Sequence, residues 1–139
     1  MSRLSFALAV LFLLLSNCTR ATAADPEMKF EVYKDKAGEH RWRLMADSGT
    51  MLATDVKGCK EMADAKACVD TVMMSGSDES LHYEVYGDDK KEYRWRLKSN
   101  TGKVIAEAGE AYKKKTDADR AVDAMRAKVA KATVVVVKD

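Results

Sequence analysis

The sequence is built from two copies of one unit, and this repeat restricts the possible folds more than any other feature. Residues 29–76 align with residues 82–129 at a constant offset and without a gap, and about sixteen of the aligned pairs are identical. The strongest match is the string Arg-Trp-Arg-Leu, at residues 41–44 and again at residues 94–97. The fold must therefore contain two similar halves.

Each unit changes its hydrophobic period once. In the first unit, residues 30–33 and 40–44 alternate apolar and polar side chains, and turn residues at 47–50 lead to a third extended segment. The following segment has apolar residues at helical spacing, and in the second unit Thr116 is the predicted N-cap of this helix. The β-branched run within residues 132–138 predicts one more strand, fully buried or paired in the middle of a sheet.

These patterns predict an α+β fold. We expect two tandem βββα units that form one antiparallel sheet with the helices on one face. The single domain covers residues 24–139 and consists of the repeats at 29–76 and 82–129 followed by a C-terminal strand at 132–138.

The first 23 residues predict export. Arg3 precedes an apolar run at residues 4–15, and small residues at 21–23 are typical of a signal-peptidase site. We therefore expect a soluble periplasmic or secreted protein that begins at Ala24 and has no transmembrane segment in its mature chain. A lipoprotein anchored at Cys18 is the alternative, although Asn17 stands where such signals require a small residue.

The charge of the mature chain argues against nucleic-acid binding. Without Arg3 and Arg20, the 24 basic residues become 22, which equals the number of acidic residues. General nucleic-acid binders carry a basic domain with a clustered positive face. We therefore expect no nucleic-acid partner.

The repeated strand predicts a division between two faces of the sheet. Because successive side chains on a strand point to opposite sides, Trp42 and Leu44 are predicted to face the core. The opposite face carries the candidate binding residues Arg41, Arg43, Arg94, Arg96, Tyr33 and Tyr86. They form either a solvated face, paired with Glu31 and Glu84, or an open face that binds an anionic or glycan surface partner.

Cys59 and Cys68 are the two cysteines of the predicted mature chain. In an exported protein they predict either a structural disulfide or two separate thiols, because the loop before the helix must fold back for the bridge to form. His40 and His82 lack the additional ligands at fixed spacing that zinc requires. No metal and no cofactor are expected.

The strand sequence at residues 30–44, the segment at 100–125 and the tandem arrangement resemble the YegP-like family of small bacterial domains of unknown function. The resemblance implies one sheet in which two units exchange the strand that follows each helix, and it brings no established catalytic residues. The first unit departs from the pattern at Cys59, where the second unit has Tyr112. We expect a monomer with a pseudo-two-fold repeat.

The sequence is compatible with two classes of function. The favoured hypothesis is a noncatalytic binding or structural module with an unknown envelope or extracellular partner. The alternative is an enzyme whose site is assembled at the seam between the two repeats, because active-site residues need not be contiguous in sequence.

Overall fold

The computed structural model describes residues 27–138. The predicted signal peptide, the alternative anchor at Cys18 and the expected amino terminus at Ala24 lie outside these residues. The elements, in chain order, are β1 (Met28–Lys34), β2 (His40–Ala46), β3 (Met51–Asp55), α1 (Met62–Met73), β4 (Leu81–Gly87), β5 (Tyr93–Ser99), β6 (Val104–Ala108), α2 (Lys115–Lys128), a single 3-10 turn (Val129–Lys131) and β7 (Thr133–Val136).

The seven strands form one sheet in the order β4-β5-β6-β3-β2-β1-β7. The two halves meet at the centre, where β3 and β6 pair antiparallel. The predicted α+β class is confirmed, with one sheet and two helices. The predicted antiparallel pairing holds for every other pair of neighbouring strands, but β1 and β7 pair in parallel, so the sheet is mixed.

The position of β7 also differs from the prediction. The strand occupies an edge of the sheet beside β1 and is shorter than the expected 132–138. Val134 and Val135 are exposed, and so is Val137, which follows the strand. A β-branched run favours the extended backbone, but it does not specify how many neighbours the strand will have.

Both helices pack on the face that carries Trp42 and Trp95. α1 lies against β1, β2 and β6, and α2 lies against β4 and β5. The predicted core is confirmed, since each Trp is 1% exposed and Leu44 and Leu97 are fully buried. Phe30 contacts Trp42 edge to face with ring centroids 5.6 Å apart.

The turns predicted from the sequence are present, but the predicted N-cap of the second helix is not. Gly49 and Gly102 occupy the turns before β3 and β6 with φ angles of 92° and 87°, a conformation that glycine adopts without steric cost. The predicted N-cap at Thr116 is wrong, because α2 begins at Lys115 and its N-cap is Lys114. Lys114 makes no side-chain capping hydrogen bond, so packing of the apolar stripe determines where this helix starts.

Candidate functional site

The face of the sheet opposite the helices carries the same arrangement twice. In the first half Arg43 lies opposite Glu31 on the neighbouring strand, and in the second half Arg96 lies opposite Glu84. Arg43 Nε is 2.7 Å from Glu31 Oε1, and Arg96 Nη2 is 2.9 Å from Glu84 Oε1. In both pairs the hydrogen bond from arginine holds the pKa of the glutamate below its usual value.

Each of these arginines also covers a tyrosine ring. The guanidinium carbon of Arg43 lies 4.7 Å from the centroid of Tyr33, and that of Arg96 lies 4.6 Å from the centroid of Tyr86. Both distances are within the range of cation–π attraction. The structure thus brings a glutamate, an arginine and a tyrosine together in each half.

Arg41 and Arg94, at the start of β2 and β5, are paired differently. Arg41 Nε is 2.8 Å from Asp35 Oδ2, and Arg41 Nη1 is 3.2 Å from Asp55 Oδ1. Arg94 Nε is 3.6 Å from Asp88 Oδ2. All four predicted arginines therefore have carboxylate partners, as the interpretation of a solvated face expects.

A cleft of about 610 Å³ lies where the two halves meet. It opens between α1 and the loop before it on one side and the start of β6 on the other. Its lining residues are Trp42, Asp55, Val56, Lys57, Cys59, Asp64, Ala67, Cys68, Thr71, Lys103, Val104 and Ile105. The volume is within the range of small-molecule sites.

Asp55 is the buried carboxylate of this cleft, with a side chain that is 5% exposed. Its Oδ2 accepts a hydrogen bond from the Trp42 backbone N–H at 3.3 Å. Burial raises the pKa of Asp55, and the nearby N–H and Arg41 oppose this effect. Asp55 is therefore a poorly solvated carboxyl group that forms an ion pair with Arg41.

Cys59 and Cys68 are both half-buried free thiols in the structure. They line the same cleft and interact with each other. Burial, followed by the proximity of Cys59, raises the pKa of Cys68. One thiol comes from the loop before α1 and the other from α1 itself.

Residues 27–138 contain neither a cluster of metal-binding side chains nor a helix able to span a membrane. Within this range no group of three or more His, Cys, Asp or Glu side chains is arranged to hold a metal ion. No helix in the same range is both long enough and apolar enough to cross a membrane.

Comparison with known proteins identifies the family. Residues 88–135 match the model of a domain of unknown function, DUF1508. A UPF0339 protein of Neisseria meningitidis serogroup B is 42% identical over 50 residues, which are 36% of this chain and 88% of that protein. The chain belongs to the UPF0339 family. A UPF0339 protein in the ptx operon 5' region of Stutzerimonas stutzeri is 27% identical over 97 residues, 70% of this chain and 85% of the relative.

Two solution structures share the fold of this UPF0339 chain. The protein of unknown function yegP from E. coli superimposes with a TM-score of 0.68 at 18% identity, over 80% of this chain and 93% of the other. A UPF0339 protein of Shewanella oneidensis gives the same TM-score at 14% identity, over 79% and 91%. The resemblance to the YegP-like family is therefore confirmed, and these similarities show the fold alone.

Sequence reasoning missed Asp55 and the cleft of this UPF0339 chain. A charged residue at the end of a short apolar segment is usually read as the start of a loop. The repeat contained a usable signal, because the equivalent residue of the second unit is Ala108, which is buried. A charged residue at a position that is apolar in the other copy indicates either a buried ion-pair partner or a functional site.

Proposed function

We propose that this chain is an exported, noncatalytic binding module whose open sheet face contacts an anionic glycan of the cell envelope. The observation that carries the proposal is the repeated glutamate, arginine and tyrosine cluster on the face that neither helix covers. The ion pair with Glu31 uses the Nε–H of Arg43, so its Nη groups remain available as donors. A glycan carboxylate can accept from these donors without unstacking the guanidinium group from Tyr33.

The repeat of this cluster favours an extended ligand. Two similar weak sites on one rigid sheet bind a polymer more tightly than either site alone, because the second contact is intramolecular. Glu31 and Glu84 compete with the ligand for the guanidinium groups, and this competition keeps binding weak and reversible.

The test uses alginate as an anionic glycan and dextran as a neutral control. We expect Arg43→Gln/Arg96→Gln to lower alginate binding about tenfold or more at low salt, and Glu31→Gln/Glu84→Gln to raise it. Circular dichroism checks that both variants remain folded. Equal binding of alginate and dextran, or equal binding by the wild type and the arginine variant, would refute the proposal.

Export is a separate part of the proposal. It is supported by the basic start, the apolar run at residues 4–15 and the small residues at 21–23. Sequencing the amino terminus of the protein recovered from the envelope should give Ala24 or Asp25. A lipid-modified amino terminus at Cys18 would replace cleavage after residue 23 with the lipoprotein alternative.

We further propose that the chain is a tandem duplication in which the strand after the second helix has been exchanged onto the first unit. The Neisseria relative supports this view, since 50 residues make up 88% of it and it is therefore about as long as one unit. The pairing of β7 with β1 fits the exchange. We expect a monomer, and sedimentation at the mass of two chains would contradict that expectation.

We also propose that Cys59 and Cys68 form a structural disulfide after export. Both line one cleft and interact, which fits the folding back that a bridge requires. Transfer of two electrons and two protons to an oxidant such as oxidised glutathione would close the bond. Thiol labelling of the unfolded, unreduced exported protein tests the bridge, and two labelled thiols would exclude it.

The alternative of an enzyme at the seam has less support. The cleft is at the required place, but burial raises the pKa of Cys68 and so depletes the thiolate form that acts as a nucleophile. Asp55 is already engaged by Arg41 and by the Trp42 backbone.

A further inference from the structure

Several residues that line the cleft differ in chemistry from their equivalents in the other half of the chain. The repeat supplies a matched comparison, because each residue of the first half has an equivalent in the second. The lining residues that change character include Asp55 for Ala108, Cys59 for Tyr112 and Cys68 for Ala121.

Cys59 and Tyr112 make equivalent backbone hydrogen bonds in the two halves. Cys59 forms an isolated antiparallel bridge with His40, and Tyr112 forms one with Tyr93. The N–H···O distances are 2.7 and 2.8 Å in the first bridge and 2.7 Å for both bonds in the second. The first half therefore holds a small thiol at the place from which the second half projects a phenol ring.

The phenol of the second half has a polar neighbour. Tyr112 is packed against the core, and burial raises the pKa of its hydroxyl. The nearby Trp95 indole N–H lowers that pKa, but within the described residues Trp95 Nε1 has no hydrogen-bond partner. In the second half, a tyrosine oxygen thus lies beside the buried indole N–H.

The equivalent indole in the first half lacks this neighbour. Trp42 is 1% exposed and lines the cleft, and its Nε1 has no hydrogen-bond partner within the described residues. A buried donor without an acceptor destabilises the folded state. Trp95 Nε1 also has no partner, so only an acceptor oxygen that approaches Trp42 Nε1 more closely than the Tyr112 oxygen approaches Trp95 would remove this penalty.

We propose that the cleft binds a small phenolic compound whose ring takes the place of the tyrosine ring of the second half. The oxygen of the phenol accepts a hydrogen bond from Trp42 Nε1, and the ring packs against Val104 and Ile105. The proposed occupant is a small separate molecule, and a tyrosine of a protein is one of the outcomes that the test distinguishes. This site is independent of the proposed glycan face.

The probe is p-cresol, which has the chemistry of a tyrosine side chain, and toluene is its matched control without oxygen. The chain contains two Trp residues, so the indole N–H signals in a nitrogen-15 NMR spectrum give one response from the cleft and one internal reference. We expect p-cresol to shift the Trp42 signal while the Trp95 signal stays in place. Toluene should bind about tenfold more weakly because it cannot accept the hydrogen bond.

Two variants test the location of the site. Cys59→Tyr supplies the missing ring from the chain itself and should abolish p-cresol binding. Cys59→Ala keeps the space empty and excludes a disulfide, so it should bind p-cresol as well as the reduced wild type. Binding by the Ala variant with loss in the Tyr variant supports the proposal even if the Tyr variant is less stable.

Three outcomes would overturn the proposal. The first is the absence of a Trp42 shift at p-cresol concentrations up to its solubility. The second is equal affinity for toluene and p-cresol, which would remove the hydrogen bond. The third is binding of N-acetyltyrosinamide at least tenfold tighter than p-cresol, since this would assign the cleft to a tyrosine of a partner protein.

Discussion

The two halves of this chain have nearly the same open face but differ beneath the helices. On the open face, each half pairs a glutamate with an arginine and stacks that arginine on a tyrosine at almost the same distance. Beneath α1, the first half has Asp55 and two thiols around a cleft, where the second half has Ala108, Tyr112 and Ala121. Features of one half alone are candidates for a role that the repeated unit does not itself have.

The largest effect on stability is expected when the two halves are separated. A fragment of residues 24–78 keeps three strands and α1 but loses β6, β7 and the packing of α1 on β6. We expect it not to fold as a monomer, because so small a unit buries too little apolar surface to offset its chain entropy. Thermal unfolding followed by circular dichroism tests this. A cooperative transition in a species shown to be monomeric would contradict the prediction, whereas a self-paired dimer would not.

The next effect is the loss of either indole ring. We expect Trp42→Ala and Trp95→Ala each to lower the free energy of unfolding by about 3–5 kcal/mol, because both rings are buried. Each ring has one edge-to-face aromatic partner, but Trp95 should be the costlier because Tyr112 lies beside it, while Trp42 borders the cleft. Urea denaturation measures both losses. A loss well under about 1 kcal/mol would mean that the ring is not part of the core.

Arg41 and Arg94 occupy equivalent positions but differ in how deeply their carboxylate partners are buried. Arg41→Gln should cost about 1–3 kcal/mol, because it leaves the buried Asp55 without its cation. Arg94→Gln should cost less than about 1 kcal/mol, because its partner Asp88 lies 3.6 Å away at the surface. Addition of Asp55→Asn should reduce the cost of the Arg41 change but not that of the Arg94 change. Equal costs for the two single variants would show that the burial of Asp55 has no energetic effect.

The smallest effect is a difference in pH dependence caused by Asp55. Its pKa in the folded protein is raised above the ordinary 3.8, so the folded state holds this proton more tightly than the unfolded state. Asp55 therefore lowers stability as the pH rises from about 3.8 through its raised folded value. Glu31 and Glu84 have lowered pKa values and act in the opposite direction, but they do so equally in both proteins.

The comparison of wild type with Asp55→Asn isolates this contribution. Unfolding free energies measured across the acidic range should show the wild type losing stability relative to the variant as the pH rises. A constant difference across the range would show that the pKa of Asp55 is not raised by folding.

The core and most of the strand pattern could be predicted because they depend on local periodicity. Alternation placed Trp42 and Leu44 inside and Arg43 outside, and the glycine at position 49 marked a turn that needs a positive φ. Strand partners depend on the rest of the chain, so the valine run after α2 gave no indication that β7 would lie at an edge and parallel to β1.

The cleft could not be predicted from local patterns because it results from a side chain that is too small. Cys59 itself is unremarkable in sequence, and only the alignment with Tyr112 shows that a ring is missing there. The orphaned N–H of Trp42 is a property of the packed core and has no sequence signal of its own.

The pairing of β7 with β1 has a consequence for the order of folding. Lys29 pairs with Thr133, so β1 and the edge strand β7 close a loop of roughly a hundred residues, the longest and entropically most expensive closure in the sheet. The sheet therefore cannot be completed until the last strand of the chain is available. If the chain crosses a membrane unfolded from its amino terminus, the edge of β1 stays open until β7 has emerged.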